Sequence, residues 1–63
     1  MNAKIERLKN DGYPDKWDWV IYNGNKRVAM SYIEYTTKKA AIKSFLDFAL
    51  RFRIEKYGII EDK

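Results

Sequence analysis

The side chains of this 63-residue chain that could do chemistry are its lysines and arginines. The sequence has 13 Lys+Arg against 9 Asp+Glu and no His, which gives a formal net charge of +4 at pH 7. The whole excess lies in residues 26–56, which carry eight basic and three acidic side chains. Clustered cations attract anionic partners, and the phosphates of nucleic acids are the obvious candidate.

Two of these cations stand at an unfavourable position. Lys38 and Lys39 follow Thr37 at the start of a predicted helix, where the dipole and the free N–H groups are already positive and each lysine costs about 0.3 to 1 kcal/mol. Either they only solubilise a frayed helix end, or they help the N-terminus to hold a phosphate. The predicted phosphate contacts are Lys26, Arg27, Lys38, Lys39 and Lys43, and Tyr22, just before the hairpin turn, is predicted to lie against a sugar or base of the nucleic acid.

Catalysis is the function class that the composition argues against most strongly. Without His or Cys, the chain cannot build the usual imidazole or thiolate metal site, and neither Ser31 nor Ser44 has an imidazole to activate it. The nearby carboxylates Asp11, Asp15 and Asp18 are spread over a connector and one predicted strand. We therefore predict a protein that is not an enzyme and that uses no cofactor and no metal.

A β-hairpin is the clearest local pattern. Two aromatic and β-branched runs, residues 17–22 and 27–32, flank the turn sequence Asn23-Gly24. A loop with an even number of residues places Val28, Met30 and Tyr32 on the same face as the two tryptophans. This register buries the most apolar surface, so it is the one that we expect, with a bulge or the strand's end at residues 33–35.

Two helices are predicted around this hairpin. Residues 2–10 read as a short N-terminal helix because Ile5 and Leu8 lie three apart. Residues 38–57 predict one long helix, with an N-cap at Thr36-Thr37 and a stop at Gly58. The inward stripe of the long helix consists of Ala41, Phe45, Phe48 and Phe52, widened by Ile42, Leu46 and Ala49.

These elements predict a single α+β domain over residues 1–63. The expected architecture has two layers, an antiparallel hairpin packed against the long C-terminal helix, with the short N-terminal helix beside them. Because a lone hairpin is marginally stable, either residues 13–16 add a third strand or the first helix closes the open side of the core.

The order of residues also resembles a known type of domain. The run Trp17-x-Trp19-Val20-x-Tyr22-Asn23-Gly24-x-Lys26-Arg27-Val28 is followed by Tyr32, by Thr36-Thr37-Lys38-Lys39-Ala40-Ala41, and by Phe45 and Ala49. Over residues 17–57 it is similar to the DNA-binding domains, three strands and a helix, of the APETALA2/ethylene-response type and of phage integrase arm-site-binding domains. The resemblance implies a sheet in a major groove, with Tyr22, Lys26, Arg27, Lys38 and Lys39 near the DNA.

Two functions follow from the sequence. The first is a small DNA-binding, or more broadly nucleic-acid-binding, protein that holds phosphates with its hairpin tip and helix start. The alternative is a small interaction or inhibitor protein, of the kind that phages and mobile elements encode, which binds a protein partner through aromatic surface or forms a homodimer. No stretch of the sequence is apolar enough for a membrane span or a signal peptide, so we expect a cytoplasmic protein without a membrane partner.

Overall fold

A computed structural model describes residues 1–9 and 11–61 of the chain. Within these residues the fold is α+β, with a four-stranded mixed sheet and one helix. The elements in chain order are β1 (Asn2–Leu8), β2 (Lys16–Asn23), β3 (Lys26–Met30), α1 (Lys38–Arg51) and β4 (Gly58–Glu61). The strand order is β3-β2-β1-β4, in which β4 runs parallel to β1 and the other neighbours are antiparallel.

The N-terminal segment is a strand, so the helix predicted over residues 2–10 is wrong; residue 10 itself lies outside the described residues. Ala3 and Ile5 are fully buried and alternate with more exposed neighbours, which is the period of a strand. β1 lies between β2 and β4 and therefore has a hydrogen-bonded neighbour on both sides. An isolated helix of about nine residues is unstable in water, so strand pairing decides the structure here.

The hairpin between β2 and β3 has the predicted turn but a different register. Asn23 pairs with Lys26 across a two-residue turn, and Gly24 supplies the positive φ of 64° that its first central position requires. The register then shifts between Ile21 and Tyr22, because Val28 is an extra residue in β3. The predicted register is therefore wrong beyond this bulge.

The bulge exchanges the residues that face the helix. Ala29 pairs with Ile21 and packs against the core, while Val28 and Met30 are more than half exposed. Ser31 is buried, and its N–H donates to the carbonyl of Trp19. β3 ends at Met30, and the next residue but one, Tyr32, is fully exposed.

The helix begins where the sequence predicts and ends earlier. The Thr37 hydroxyl accepts a hydrogen bond from the N–H of Ala40, which confirms the N-cap. At the other end, Arg53 adopts a left-handed φ of 54°, its N–H donates to Leu50, and the N–H of Ile54 donates to Ala49. This is a Schellman ending with an arginine in place of the usual glycine. The helix is thus 14 residues long, and Gly58 begins β4 instead of ending the helix.

The core lies between α1 and the two inner strands. Phe45 is fully buried, with its ring centroid 5.8 Å from Trp19 and 5.0 Å from Tyr57 in edge-to-face arrangements. Ala41 and Ala49 are buried one helical turn before and after it, and their small side chains let the helix approach β1 and β2 closely. Of the predicted inward stripe, Leu46 and Phe52 are instead exposed.

Candidate functional site

The hairpin end of the sheet holds three of the predicted binding residues. Tyr22 pairs with Arg27 across the two strands, and Lys26 occupies the adjacent position beside the turn. A hydrogen bond to Tyr22 raises the pKa of the Arg27 guanidinium above its ordinary value. The hairpin end therefore holds two exposed cations beside a half-buried tyrosine, and Glu6 and Asp18 also act on Arg27.

The helix start holds two more of them. No acidic residue lies in the first turn of α1, as the sequence indicates. The Lys38 ammonium nevertheless has neighbours from other elements, since its Nζ lies 3.6 Å from a carboxylate oxygen of Glu61 and 5.8 Å from the centre of a Trp17 ring. Glu61 in β4 therefore compensates Lys38, so the local excess of positive charge is smaller than the sequence suggests.

The two basic groups lie at opposite ends of β2. Lys38 is beside Trp17, whereas Arg27 pairs with Tyr22. Tyr22 lies five positions after Trp17 along the strand, which corresponds to a rise of about 17 Å. Lys43 belongs to neither group, because it lines a groove along α1. The structure therefore does not bring the predicted binding residues into one site.

A groove of about 540 Å³ lies between β3 and α1. It forms because the helix packs on β1 and β2 and leaves the helix-side surface of β3 uncovered. The groove is lined by residues from the sheet, the connector and one helix face: Trp19, Met30, Tyr32, Tyr35, Ala40, Lys43, Ser44, Asp47, Phe48 and Arg51.

Ser44 fixes the aromatic floor of this groove. Its Oγ accepts a hydrogen bond from the Trp19 indole N–H at 3.1 Å and lies 2.6 Å from the Tyr35 hydroxyl. Tyr35 is also held by its backbone, since its N–H donates to the Trp17 carbonyl and its carbonyl accepts from the Trp17 N–H. The floor is therefore preorganised, and a ligand would not have to order these side chains.

The rim of the groove carries charged side chains of both signs. Lys43, Asp47 and Arg51 lie four residues apart along α1 and give the helix wall two positive charges and one negative charge. Phe48 lies between floor and rim, with its ring centroid 4.8 Å from Trp19. Fully exposed Tyr32 stands on the opposite side.

Two carboxylates lie next to each other on the sheet face away from the helix, where Arg27 interacts with both of them. Glu6 and Asp18 are directly paired across β1 and β2 in the middle of this face. Desolvation, a hydrogen bond with Glu6 and the charges of Glu6 and Glu34 together raise the pKa of the Asp18 carboxyl from 3.8 to about 6, against a smaller opposite effect of Arg27.

Except for Lys43, the residues that line the groove are not predicted as binding residues from the sequence. Ser44 was considered only as a nucleophile, although a serine on the inward side of an apolar helix, one residue before Phe45, indicates a hydrogen-bond partner from the sheet. Trp19 has the matching indole donor in the predicted hairpin. The position of Tyr35 had no comparable signal, because it depends on how the chain returns to β2 after the exposed residues 32–34.

Comparison with known proteins adds no relative: no family model, curated protein or solved structure matches the chain. The resemblance to APETALA2-type and integrase arm-site-binding domains stays a prediction. In the part of the chain that the structure describes, no helix is long and apolar enough to cross a membrane, and no three acidic side chains are grouped as a metal site requires.

Proposed function

We propose that this chain is a non-enzymatic interaction module that binds an extended segment of an acidic partner protein in the groove between β3 and α1. The observation that carries the proposal is a preorganised aromatic floor, made by Trp19 and Tyr35 with Phe48 beside them, next to a sheet edge that no other described strand covers. Grooves that combine an apolar floor with a few fixed polar groups are the usual form of a binding site.

The dimensions of the groove suit a short extended peptide. Its helix wall runs from Ala40 to Arg51, a rise of about 17 Å. An extended chain advances about 3.3 Å per residue, so about five residues would fill this length. The volume of about 540 Å³ also lies within the range of small-ligand and peptide pockets.

The chemistry of the groove favours an acidic, apolar sequence. Tyr and Arg are among the side chains that most often carry binding energy at protein interfaces, and the exposed side chains of Tyr32 and Arg51 both line this groove, whereas Trp19 is only 3% exposed at its floor. The helix wall has one positive charge in excess, and Lys26 at the start of β3 is a further cation; Arg27 instead interacts with Glu6 and Asp18 on the other face of the sheet. Carboxylates on the partner would therefore be attracted along the groove.

Selection from a displayed library of random nine-residue peptides tests this proposal. We expect peptides that alternate apolar and acidic residues to be enriched on the immobilised full chain. Lys43→Glu should weaken a selected peptide about fivefold in fluorescence anisotropy, because it reverses a charge on the groove wall. Lys39→Glu is the matched control, since it makes the same charge change one helical turn away and outside the groove. Failure to enrich any peptide over an unrelated small domain would overturn the proposal.

Nucleic-acid binding at the hairpin end is the second candidate function. The contact between Tyr22 and Arg27, next to Lys26, favours it because an aromatic ring and two cations could engage a base and two phosphates. With two phosphate contacts the slope of log affinity against log salt would be about −1.8, whereas the five cations predicted from sequence would give about −4.5. A salt titration with duplex DNA distinguishes the two slopes, and absence of binding at about 50 mM salt rejects this candidate.

A further inference from the structure

We infer that the partner segment binds as an additional strand, hydrogen-bonded through its main chain to the outer edge of β3 at Met30. This inference rests on the proposed function and states how the same groove holds its ligand. β3 is an end strand of the sheet, so one side of its backbone has no neighbour among the described strands. Unpaired edges of this kind accept a further strand in several types of peptide-binding domain.

The direction of the Met30 backbone follows from its neighbours. The Ser31 N–H donates to the Trp19 carbonyl, so Ser31 points its polar groups toward β2. Hydrogen-bonded and non-hydrogen-bonded pairs alternate along an antiparallel ladder, which makes the next pair, Val20 and Met30, non-hydrogen-bonded. The N–H and C=O of Met30 therefore point outward, to the place where an added strand would lie.

Met30 joins the free edge to the groove. It lines the groove together with Phe48 and Arg51 of the helix wall. A strand bonded to Met30 would place alternate side chains toward this wall, about 7 Å apart, so that they contact the aromatic floor while the main chain pairs with β3. Edge pairing would supply affinity, and the aromatic floor and the cations would supply selectivity.

The charges of β3 identify an acidic partner as a better occupant than a second copy of this chain. The β3 strand of a second copy carries two cations and no carboxylate, so it would bring no negative charge to the Lys43 and Arg51 side chains of the helix wall. A partner with Asp or Glu at alternate positions would be attracted to these two cations.

Met30→Pro tests the inference with little disturbance of the fold. Proline removes the outward N–H and no bond to β2, and an edge strand tolerates proline when its N–H faces solvent. Met30→Ala is the matched control because it removes the side chain and keeps the N–H. For a peptide selected from the nine-residue library, we expect Met30→Pro to raise Kd about tenfold more than Met30→Ala.

Amide hydrogen exchange of the wild-type chain provides a second measurement if Met30→Pro does not fold. Saturating peptide should slow exchange of the Met30 amide at least tenfold and leave exchange in the Gly58–Glu61 edge unchanged.

The outcomes separate edge pairing from the proposed function. If the peptide binds but Met30→Pro and Met30→Ala have the same Kd, or the Met30 amide exchanges as before, edge pairing is wrong and the groove function stands. If no peptide is enriched, the proposed function fails first. If the wild-type chain sediments as a dimer and Met30→Pro as a monomer, the strand that pairs with β3 comes from a second copy of the chain and not from an acidic partner.

Discussion

The two sides of β2 differ in how regularly the neighbouring strand follows it. Toward β1 the pairing is unbroken from Tyr22 with Asn2 to Lys16 with Leu8. Toward β3 it is interrupted twice, first by the extra residue Val28 and then by residues 32–34, after which Tyr35 returns to pair with Trp17. The helix packs on the regular side and leaves the interrupted side open.

The β1 side of β2 therefore contributes mainly to the stability of the fold, whereas the β3 side presents an accessible surface. On the regular side, alternation puts Ala3 and Ile5 into the core, where burial of apolar area stabilises the fold. On the interrupted side, the breaks turn Met30 and Tyr32 outward and leave room for the groove. Irregularities in edge strands often re-aim side chains in this way.

The largest expected effect comes from truncating a core ring on the regular side. Phe45→Ala should destabilise the chain by about 3 to 5 kcal/mol, because Phe45 is fully buried between Trp19 and Tyr57. A loss of this size is most of the free energy of unfolding of so small a domain, so urea denaturation should show that the variant is largely unfolded even without urea. Phe48→Ala is the comparison on the open side and should lose only about 1 kcal/mol, since this ring is partly exposed at the groove. Equal losses of unfolding free energy in the two variants would contradict the view that one side of β2 stabilises the fold and the other side forms the open surface.

A smaller effect is expected from Asp18, opposite the second interruption. Its pKa is raised to about 6 in the folded chain by burial and by Glu6, so folding favours the protonated form. The contribution to stability is therefore fully present below pH 3.8 and is lost as the pH rises through 6. Since the carboxyl is only partly buried, solvent screening limits the effect to about 1 kcal/mol.

Asp18→Asn isolates this contribution. The variant should be about 1 kcal/mol more stable than the wild type at pH 7 and should show no such gain at pH 4, as measured by urea denaturation at the two values. Glu34→Gln removes a more distant charge and should produce a smaller change in the same direction. An Asp18→Asn variant that is less stable at pH 7 than at pH 4, relative to wild type, would show that the carboxylate is stabilised in the folded chain.

The smallest expected effect lies at the helix end. Arg53 has a φ of 54°, which costs an L-residue about 1 to 2 kcal/mol and costs glycine far less. After the greater chain entropy of glycine is subtracted, Arg53→Gly should stabilise the chain by about 0.5 kcal/mol. Thermal denaturation measures the gain. Unchanged peptide affinity in the same variant would confirm that Arg53 is outside the site, and a loss of affinity would place it within the site.

The sequence predicts the features that depend on local chemistry. Thr37 caps the helix, Gly24 makes the turn, and Ala41 and Phe45 face the sheet, because hydroxyl capping, positive φ and helical period are properties of single residues or short segments. The α+β class follows from the same patterns. Lys26 is exposed and Lys38 is only partly so, and the sequence does not predict the distance between them.

Features that depend on distant neighbours could not be predicted. β1 is a strand because β2 and β4 pair with it, and its sequence alone also fits a short helix. The bulge at Val28 reverses which residues face the core, and nothing local requires an extra residue there. Arg53 ends the helix in a conformation that usually indicates glycine. The groove depends on the first two features, because the helix packs on β1 and β2 and the bulge sets which residues of β3 face outward.

Amide chemical-shift mapping with a library-selected peptide tests the central claim most directly. Two-dimensional NMR spectra of the labelled full chain, recorded during a titration, would locate the peptide residue by residue. We expect the largest changes at Met30, Ser44 and Phe48, on the two walls and the floor of the groove. Changes confined to Tyr22, Lys26 and Arg27, or to Gly58–Glu61, would contradict the assignment of the groove as the binding site.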